Sequence, residues 1–216
     1  LIACQITLIK FFKKIYFSSK NYNKSLETKT PQQVYYNPNP FLLSIITSYT
    51  GQSFKISEID PNIFWMEDKK KETEQMHNFF WLSLIDRKTD HKKLKKIIYI
   101  WMIKNSKYKK KIWETSNLSA RIISWILNID IILNNSTFDF KKNFLNCVIS
   151  QTNHLKKNIR FEKDFSKKIE ILTAIILTGL VFKEYEENFN IGIKELEILV
   201  KDFFDVDGFP MSRNPN

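Results

Sequence analysis

The chain has 216 residues, of which 43% are hydrophobic and 26% are charged. This balance excludes an intrinsically disordered protein and allows a sizeable hydrophobic core. Only 4 residues are glycine, which disfavours a β fold rich in tight hairpins. The net charge of +11 favours an acidic partner, which could be nucleic acid, an anionic membrane or an acidic polysaccharide. The abundance of Lys, Asn, Ile and Phe also fits an AT-rich genome, and we give that explanation more weight.

Residues 1–66 are predicted to form a partly irregular N-terminal segment. Residues 1–17 have the spacing of an amphipathic helix, which is too short and too charged to span a bilayer. Residues 18–40 are polar and contain prolines, so we expect an irregular connection. Short strands are predicted at residues 42–48 and 53–56. The chain begins at Leu1 rather than Met and ends just after a Pro-containing turn, so we expect it to be part of a longer protein.

Residues 67–216 are predicted to form an all-α domain, because apolar residues recur there at helical spacing. Short connections between these helices predict antiparallel helical hairpins, which could curl into a bundle, an arch or a toroid. The last helix is predicted to stop at Asp207 and Gly208, where glycine can supply a left-handed cap. The six predicted helices run from Glu67 through Leu84, from after Asp90 to Met102, from near Asn117 to Leu133, and over residues 139–158, 164–182 and 184–205.

Several short motifs follow one another along the predicted helical domain. In this order they resemble the N-terminal helical region of heparinase II/III-like proteins, and the resemblance covers about residues 40–216. The most specific parts are the pair Arg121 and Trp125 and the Asp-Gly to Ser-Arg-Asn-Pro ending. The motifs are residues 79–82, Trp113, residues 119–126, 151–155, 174–180 and 207–215.

The resemblance implies an (α/α) toroid, normally followed by a β-sandwich domain that is absent from this chain. Proteins of this family cleave acidic polysaccharides by β-elimination at a uronic acid. The proton beside a carboxylate is very weakly acidic, so the enzyme must neutralise that carboxylate, and a Tyr or His must transfer the proton. The partners implied are an acidic polysaccharide and the β domain of the same chain. The periplasm or cell envelope is the implied location.

No cofactor and no metal is expected. Cys4 and Cys147 are far apart in sequence, and the three histidines form no metal-ligand pattern with carboxylates. Nucleic acid is not an expected partner either, because no nucleic-acid-binding motif is recognisable. A basic nucleic-acid-binding module nevertheless stays an alternative, on the strength of the net charge and the lysine-rich stretches at residues 92–96, 107–111 and 156–168.

The sequence departs from the family at the positions that carry its chemistry. Many members have Asn-His where Ser166 and Lys167 stand here. The catalytic Tyr and His of the family are expected beyond Asn216, so no catalytic residue is assigned and the chain alone is expected to be inactive.

Four residues are the candidates for binding substrate. Arg213 and Asn214 lie in the final turn, where they could contact a sugar carboxylate or simply cap the turn. Arg121 and Trp125 share one helical face, where they could grip an acidic sugar or pack together in the core as a cation–π pair. If these side chains do not line a cleft, the third interpretation, a non-catalytic helical scaffold, is favoured.

Overall fold

The computed structural model describes residues 11–13, 15–42, 59–65, 76–87 and 91–211. Within these ranges the chain is mostly helical and has no β-strand, which confirms the all-α class. None of the described helices is long and apolar enough to cross a membrane. The α-helices are α1 (Lys20–Lys24), α2 (Lys92–Asn105), α3 (Thr115–Leu127), α4 (Ile129–Leu133), α5 (Phe138–Asn158), α6 (Phe165–Val181) and α7 (Glu186–Phe203).

Side-chain caps set the start of four helices. Such a cap accepts a hydrogen bond from one of the first backbone N–H groups, which have no partner inside the helix. The first turn of α3 begins two residues before the predicted Asn117, because the Glu114 carboxylate accepts from the amides of Ser116 and Asn117. The other three caps are Ser19 for α1, Thr137 for α5 and Asp164 for α6.

The third predicted helix is interrupted rather than continuous to Leu133. Asn128 leaves the helical conformation at φ −116° and ψ 20°, and α4 begins directly after it. The Asn128 Nδ2 donates to the Ser124 carbonyl at 2.9 Å, while Arg87 Nη1 donates to Asn128 Oδ1 at 2.9 Å. A buried asparagine that bonds its own backbone competes with the helix, and apolar periodicity does not reveal this.

The first predicted helix is wrong beyond Met76, which is itself helical. Residues 66–75 lie outside the described ranges, and a 3₁₀ helix at Phe80–Leu84 replaces the expected α-helix. Phe79 has a left-handed backbone at φ 62° and is fully buried. Its ring contacts Trp101 and Trp125 with centroid distances of 5.6 and 5.1 Å. Tertiary packing of the aromatic ring therefore offsets the cost of the unusual backbone.

The sixth predicted helix ends at Phe203, so Gly208 is not its cap. Gly208 does have the expected left-handed backbone, at φ 82°, but in a separate turn. The Asp205 carboxylate accepts from the amides of Asp207 and Phe209 at 3.0 and 2.8 Å, and this local competition closes the turn.

Residues 19–35, called the belt below, cross the outside of α5 and α6. Tyr35 N donates to the Val181 carbonyl at 2.8 Å, and Asn153 Nδ2 donates to the Leu26 carbonyl at 2.9 Å. Tyr22 and Leu26 belong to the same hydrophobic core as the helices. Of the helix expected at residues 1–17, positions 11–13 and 15–17 are helical and 1–10 lie outside the described ranges. The strand expected at 53–56 lies outside them too, as does 42–48 except for Leu42, which is helical.

Two glycines allow α6 and α7 to pack as a close antiparallel pair. A Cβ atom at Gly179 would lie 2.2 Å from the backbone nitrogen of Phe189. A Cβ atom at Gly192 would lie 2.4 Å from Cγ1 of Ile176. At Gly179 the two backbones therefore approach at a distance that only glycine permits, whereas the close neighbour of Gly192 is a side chain.

We expect Gly179→Ala to destabilise the protein by at least about 2 kcal/mol, although alanine normally stabilises a helix interior relative to glycine. The added methyl group meets backbone, which cannot rotate away. Urea unfolding measures the change. Gly192→Ala is the matched control, because the Ile176 side chain can adjust and the loss should be smaller. Equal or greater stability of Gly179→Ala would contradict the close packing.

Candidate functional site

Arg121 is fully buried and donates hydrogen bonds to three parts of the chain. Its Nε donates to Gln151 Oε1 at 2.8 Å, and its Nη1 donates to the carbonyls of His77 and Ile112 at 2.8 and 3.2 Å. Among the described residues Nη2 has no hydrogen-bond partner. Burial lowers the pKa of the guanidinium well below its usual value, whereas the three donated bonds favour the charged form.

Arg121 and Trp125 are brought together in the core rather than at a surface. The guanidinium carbon lies 4.5 Å from the ring centroid of Trp101 and 5.9 Å from that of Trp125. Both tryptophans are fully buried and meet edge to face at 5.2 Å. This is the core packing weighed as the alternative for this pair, and neither side chain reaches a sugar from this position. Arg213 and Asn214 lie outside the described residues.

An open cleft of about 490 Å³ lies between α2, α5 and the belt. Apolar side chains, among them Met102 and Trp113, form part of its lining. Tyr99 stands beside the cleft with 45% of its side chain exposed, and Lys107 and Glu27 are its charged residues. Side-chain amides and hydroxyls form much of the remaining lining, including Asn23, Thr30, Ser106, Asn143, Asn146 and Ser150.

The belt wall of the cleft is held by a buried polar cluster. The Tyr22 hydroxyl lies 2.8 Å from Nδ1 of His154, and Asn158 Nδ2 donates to the same hydroxyl at 3.2 Å. Because the Tyr22 hydroxyl accepts from Asn158, its own proton is available to be donated to an unprotonated Nδ1 of His154. Burial raises the pKa of Tyr22 to about 12; burial, with Lys157 nearby, lowers the pKa of His154 to about 4. Both side chains are therefore neutral at neutral pH.

The cleft lining contains one lysine, Lys107, which lies just after the C-terminal end of α2. Lys104, Lys109 and Lys110 are exposed and close in sequence to the cleft residue Lys107. Such a cluster produces a positive potential that attracts anionic ligands over a distance of about 10 Å at moderate salt.

No pattern in the sequence predicts this cleft directly. Its walls come from three separated segments, so no local motif contains it. One signal was present: Asn143, Asn146 and Ser150 recur at helical spacing along α5, on a side that also carries Asn153. A polar stripe on a helix that otherwise packs in the core indicates either a partner segment or a ligand. Here the belt covers part of the stripe, and the cleft lies beside the rest of it.

The geometry alone defines a mostly helical protein with an open cleft lined by polar and apolar side chains. Comparison of the chain with protein-family models, with curated proteins and with solved structures finds no match. The described part of the chain contains no group of three or more His, Cys, Asp or Glu side chains placed to hold a metal ion.

We expect Arg121→Lys to lower the free energy of unfolding by about 3 kcal/mol, because one ammonium group cannot serve Gln151 and two carbonyls in the same plane. Chemical denaturation measures this. Arg160→Lys is the matched control at an exposed site and should change stability by less than about 0.5 kcal/mol. The central role of Arg121 is refuted if both variants are as stable as the parent.

We expect acid to weaken the protein through His154. Its pKa in the fold, about 4, lies below the usual value of 6.5, so the unfolded chain binds the proton more tightly. The stabilisation is complete above pH 6.5 and is lost as the pH falls toward 4. Between pH 7 and pH 4.5 the parent should lose about 2.5 kcal/mol more than His154→Gln. Urea unfolding of both proteins at the two pH values tests this, and equal losses would contradict it.

Proposed function

We propose that this chain is the helical part of a polysaccharide lyase-like protein and binds an acidic, uronate-containing polysaccharide. In this proposal the helical hairpins form part of an (α/α) toroid, and the sugar occupies the cleft between α2, α5 and the belt. The observation that carries the proposal is the lining of that cleft, in which amides and hydroxyls accompany an exposed tyrosine and a lysine.

The lining suits a ligand that is covered with hydroxyl groups. An asparagine amide both donates and accepts, as a sugar hydroxyl does, and Asn143 and Asn146 offer such groups, although Thr30 already donates to Asn146 Oδ1. The Asn23 amide is already bonded to Phe17, Ser19 and Tyr108. Tyr99 offers an exposed ring against which the apolar face of a sugar can pack, with its hydroxyl at the edge. The cleft volume falls within the range of small-molecule sites.

The charge around the cleft favours an acidic sugar over a neutral one. Lys107 lines the cleft, and three further exposed lysines lie nearby in sequence. Glu27 is the opposing charge in the lining, and it lies on the belt. A carboxylate of the sugar would therefore be drawn toward the α2 side, where Lys107 can donate to it.

Cleavage by β-elimination is proposed for the complete protein. None of the described residues is assigned as its proton-transfer group: Tyr22 and His154 are hydrogen bonded to each other and buried away from the cleft lining. Arg213 and Asn214 remain proposed contacts to the sugar carboxylate.

A non-catalytic scaffold is the second candidate. The observation that favours it is the burial of Arg121 and Trp125, which removes two of the expected sugar contacts from any surface. A scaffold would leave the cleft without a ligand, and it would not distinguish uronate polymers from neutral ones.

We expect the chain to bind oligosaccharides of a uronate polymer and to bind them more weakly as salt rises. Tyr99→Ala and Lys107→Gln should each weaken binding by about tenfold, since each removes one direct contact worth about 1.4 kcal/mol. Isothermal titration calorimetry with alginate, polygalacturonate and heparan-type oligosaccharides measures this.

Lys194→Gln is the matched control, since it removes the same charge from an exposed site on α7, away from the cleft. If it weakens binding as much as Lys107→Gln, the attraction is non-specific. If no uronate oligosaccharide binds, the scaffold is favoured. Cleavage is tested separately on the complete protein, by absorbance of the unsaturated uronate product.

A further inference from the structure

A second groove, of about 340 Å³, lies between α6 and α7 on a face that the proposed sugar cleft does not use. Its lining is mostly aliphatic. Leu172 and Ile175 come from α6, while Ile191, Ile198 and Leu199 come from α7. Leu172, Ile175 and Leu199 are buried and form the floor, whereas Ile198 is 44% exposed and presents apolar surface to solvent. An open aliphatic groove between two helices is a typical docking site for further helices.

The charged residues of this groove are divided by sign between its two walls. Every cation of the lining lies on the side of α5 and α6: Lys156, Arg160 and Lys168. Both acids, Glu195 and Asp202, lie on α7. Lys156 donates to Asn188 Oδ1 at 2.6 Å. Among the described residues, the other four charged groups form no ion pair.

We propose that this groove is a homodimer interface and that a second copy of the same chain covers it. A two-fold axis running along the groove exchanges its two walls. The basic wall of one subunit then faces the acidic wall of the other, twice in each dimer. A two-fold axis across the groove would instead oppose like charges. A surface with oppositely charged walls on either side of an apolar floor is therefore complementary to itself.

The register of α6 and α7 identifies the residues that meet. Gly179 packs against Phe189, Gly192 against Ile176, and the rings of Phe165 and Phe203 lie 4.3 Å apart. By this antiparallel register Lys168 is level with Val200, and Asp202 lies about 3 Å further along the groove, within reach of a lysine side chain. When the two-fold axis places the basic wall of one subunit against the acidic wall of the other, Lys168 faces Asp202 of the partner subunit. The four helices then form an antiparallel bundle in which α6 neighbours both copies of α7.

The size of the face is sufficient for a weak but specific dimer. The 18 residues of α7 extend about 27 Å at 1.5 Å per residue. Two adjacent helices present a face about 20 Å wide, so each copy would bury about 500 Å² and the dimer about 1,000 Å². This area is near the lower limit for specific association, so the complementary charges should decide whether the dimer forms.

The experiment is sedimentation velocity of the chain and of two charge reversals, Lys168→Glu and Asp202→Lys, from about 1 to 200 µM. The parent should dimerise in this range. Each reversal alone places two like-charge pairs in the dimer and should raise Kd at least about tenfold. An equimolar mixture of the two variants should dimerise again, because both contacts then join opposite charges. The double variant should also recover, for the same reason.

If dimerisation recovers in the mixture, the loss in each single variant came from a contact between subunits and not from unfolding. Circular dichroism of each single variant checks that it is folded. Ile198→Glu, in the middle of the groove, should also give a monomer. Lys107→Glu, in the sugar cleft, is the control and should leave dimerisation unchanged. Failure of the sugar proposal can therefore be distinguished from failure of the dimer proposal. A parent that stays monomeric, or a mixture that does not recover, overturns the proposal.

Discussion

Burial of the Arg121 guanidinium is the constraint around which the described core is organised. A buried cation is stable only if hydrogen-bond acceptors and aromatic rings around it replace the water that it has lost. Here Gln151 of α5, the carbonyls of His77 and Ile112, and the ring of Trp101 do so. Each of these groups comes from a different part of the chain. One side chain of α3 therefore holds α2, α5 and two connections at fixed distances.

The aromatic residues around Arg121 explain why local propensity fails nearby. Trp101, Trp125 and Phe79 form a continuous set of ring contacts next to the guanidinium. Phe79 joins this set with a left-handed backbone, and the chain forms a turn and a 3₁₀ helix where periodicity predicts an α-helix. The same turn presents the His77 carbonyl to Arg121. The strained backbone and the buried cation therefore stabilise each other.

The surfaces that can bind partners lie outside this core and are built differently. The cleft depends on the belt, which is attached by hydrogen bonds from Tyr22, Tyr35 and Asn153 as well as by Leu26 in the core. The second groove depends on the close approach of α6 and α7, which Gly179 and Gly192 permit. One surface is polar and the other aliphatic with divided charges. This difference is why we assign the first to a sugar and the second to another copy of the chain.

The sequence by itself determined the helical class and most of the helix positions. Apolar spacing and capping residues such as Asp164 act within a few residues, so α2, α5 and α6 were predicted nearly to their ends. The sequence also paired Arg121 with Trp125, but it could not say whether they face a cavity or the core. That choice depends on Trp101 and Gln151, which lie on other helices. The cleft and the charged groove likewise join residues distant in sequence, and only the packing of helices and belt decides which of them meet.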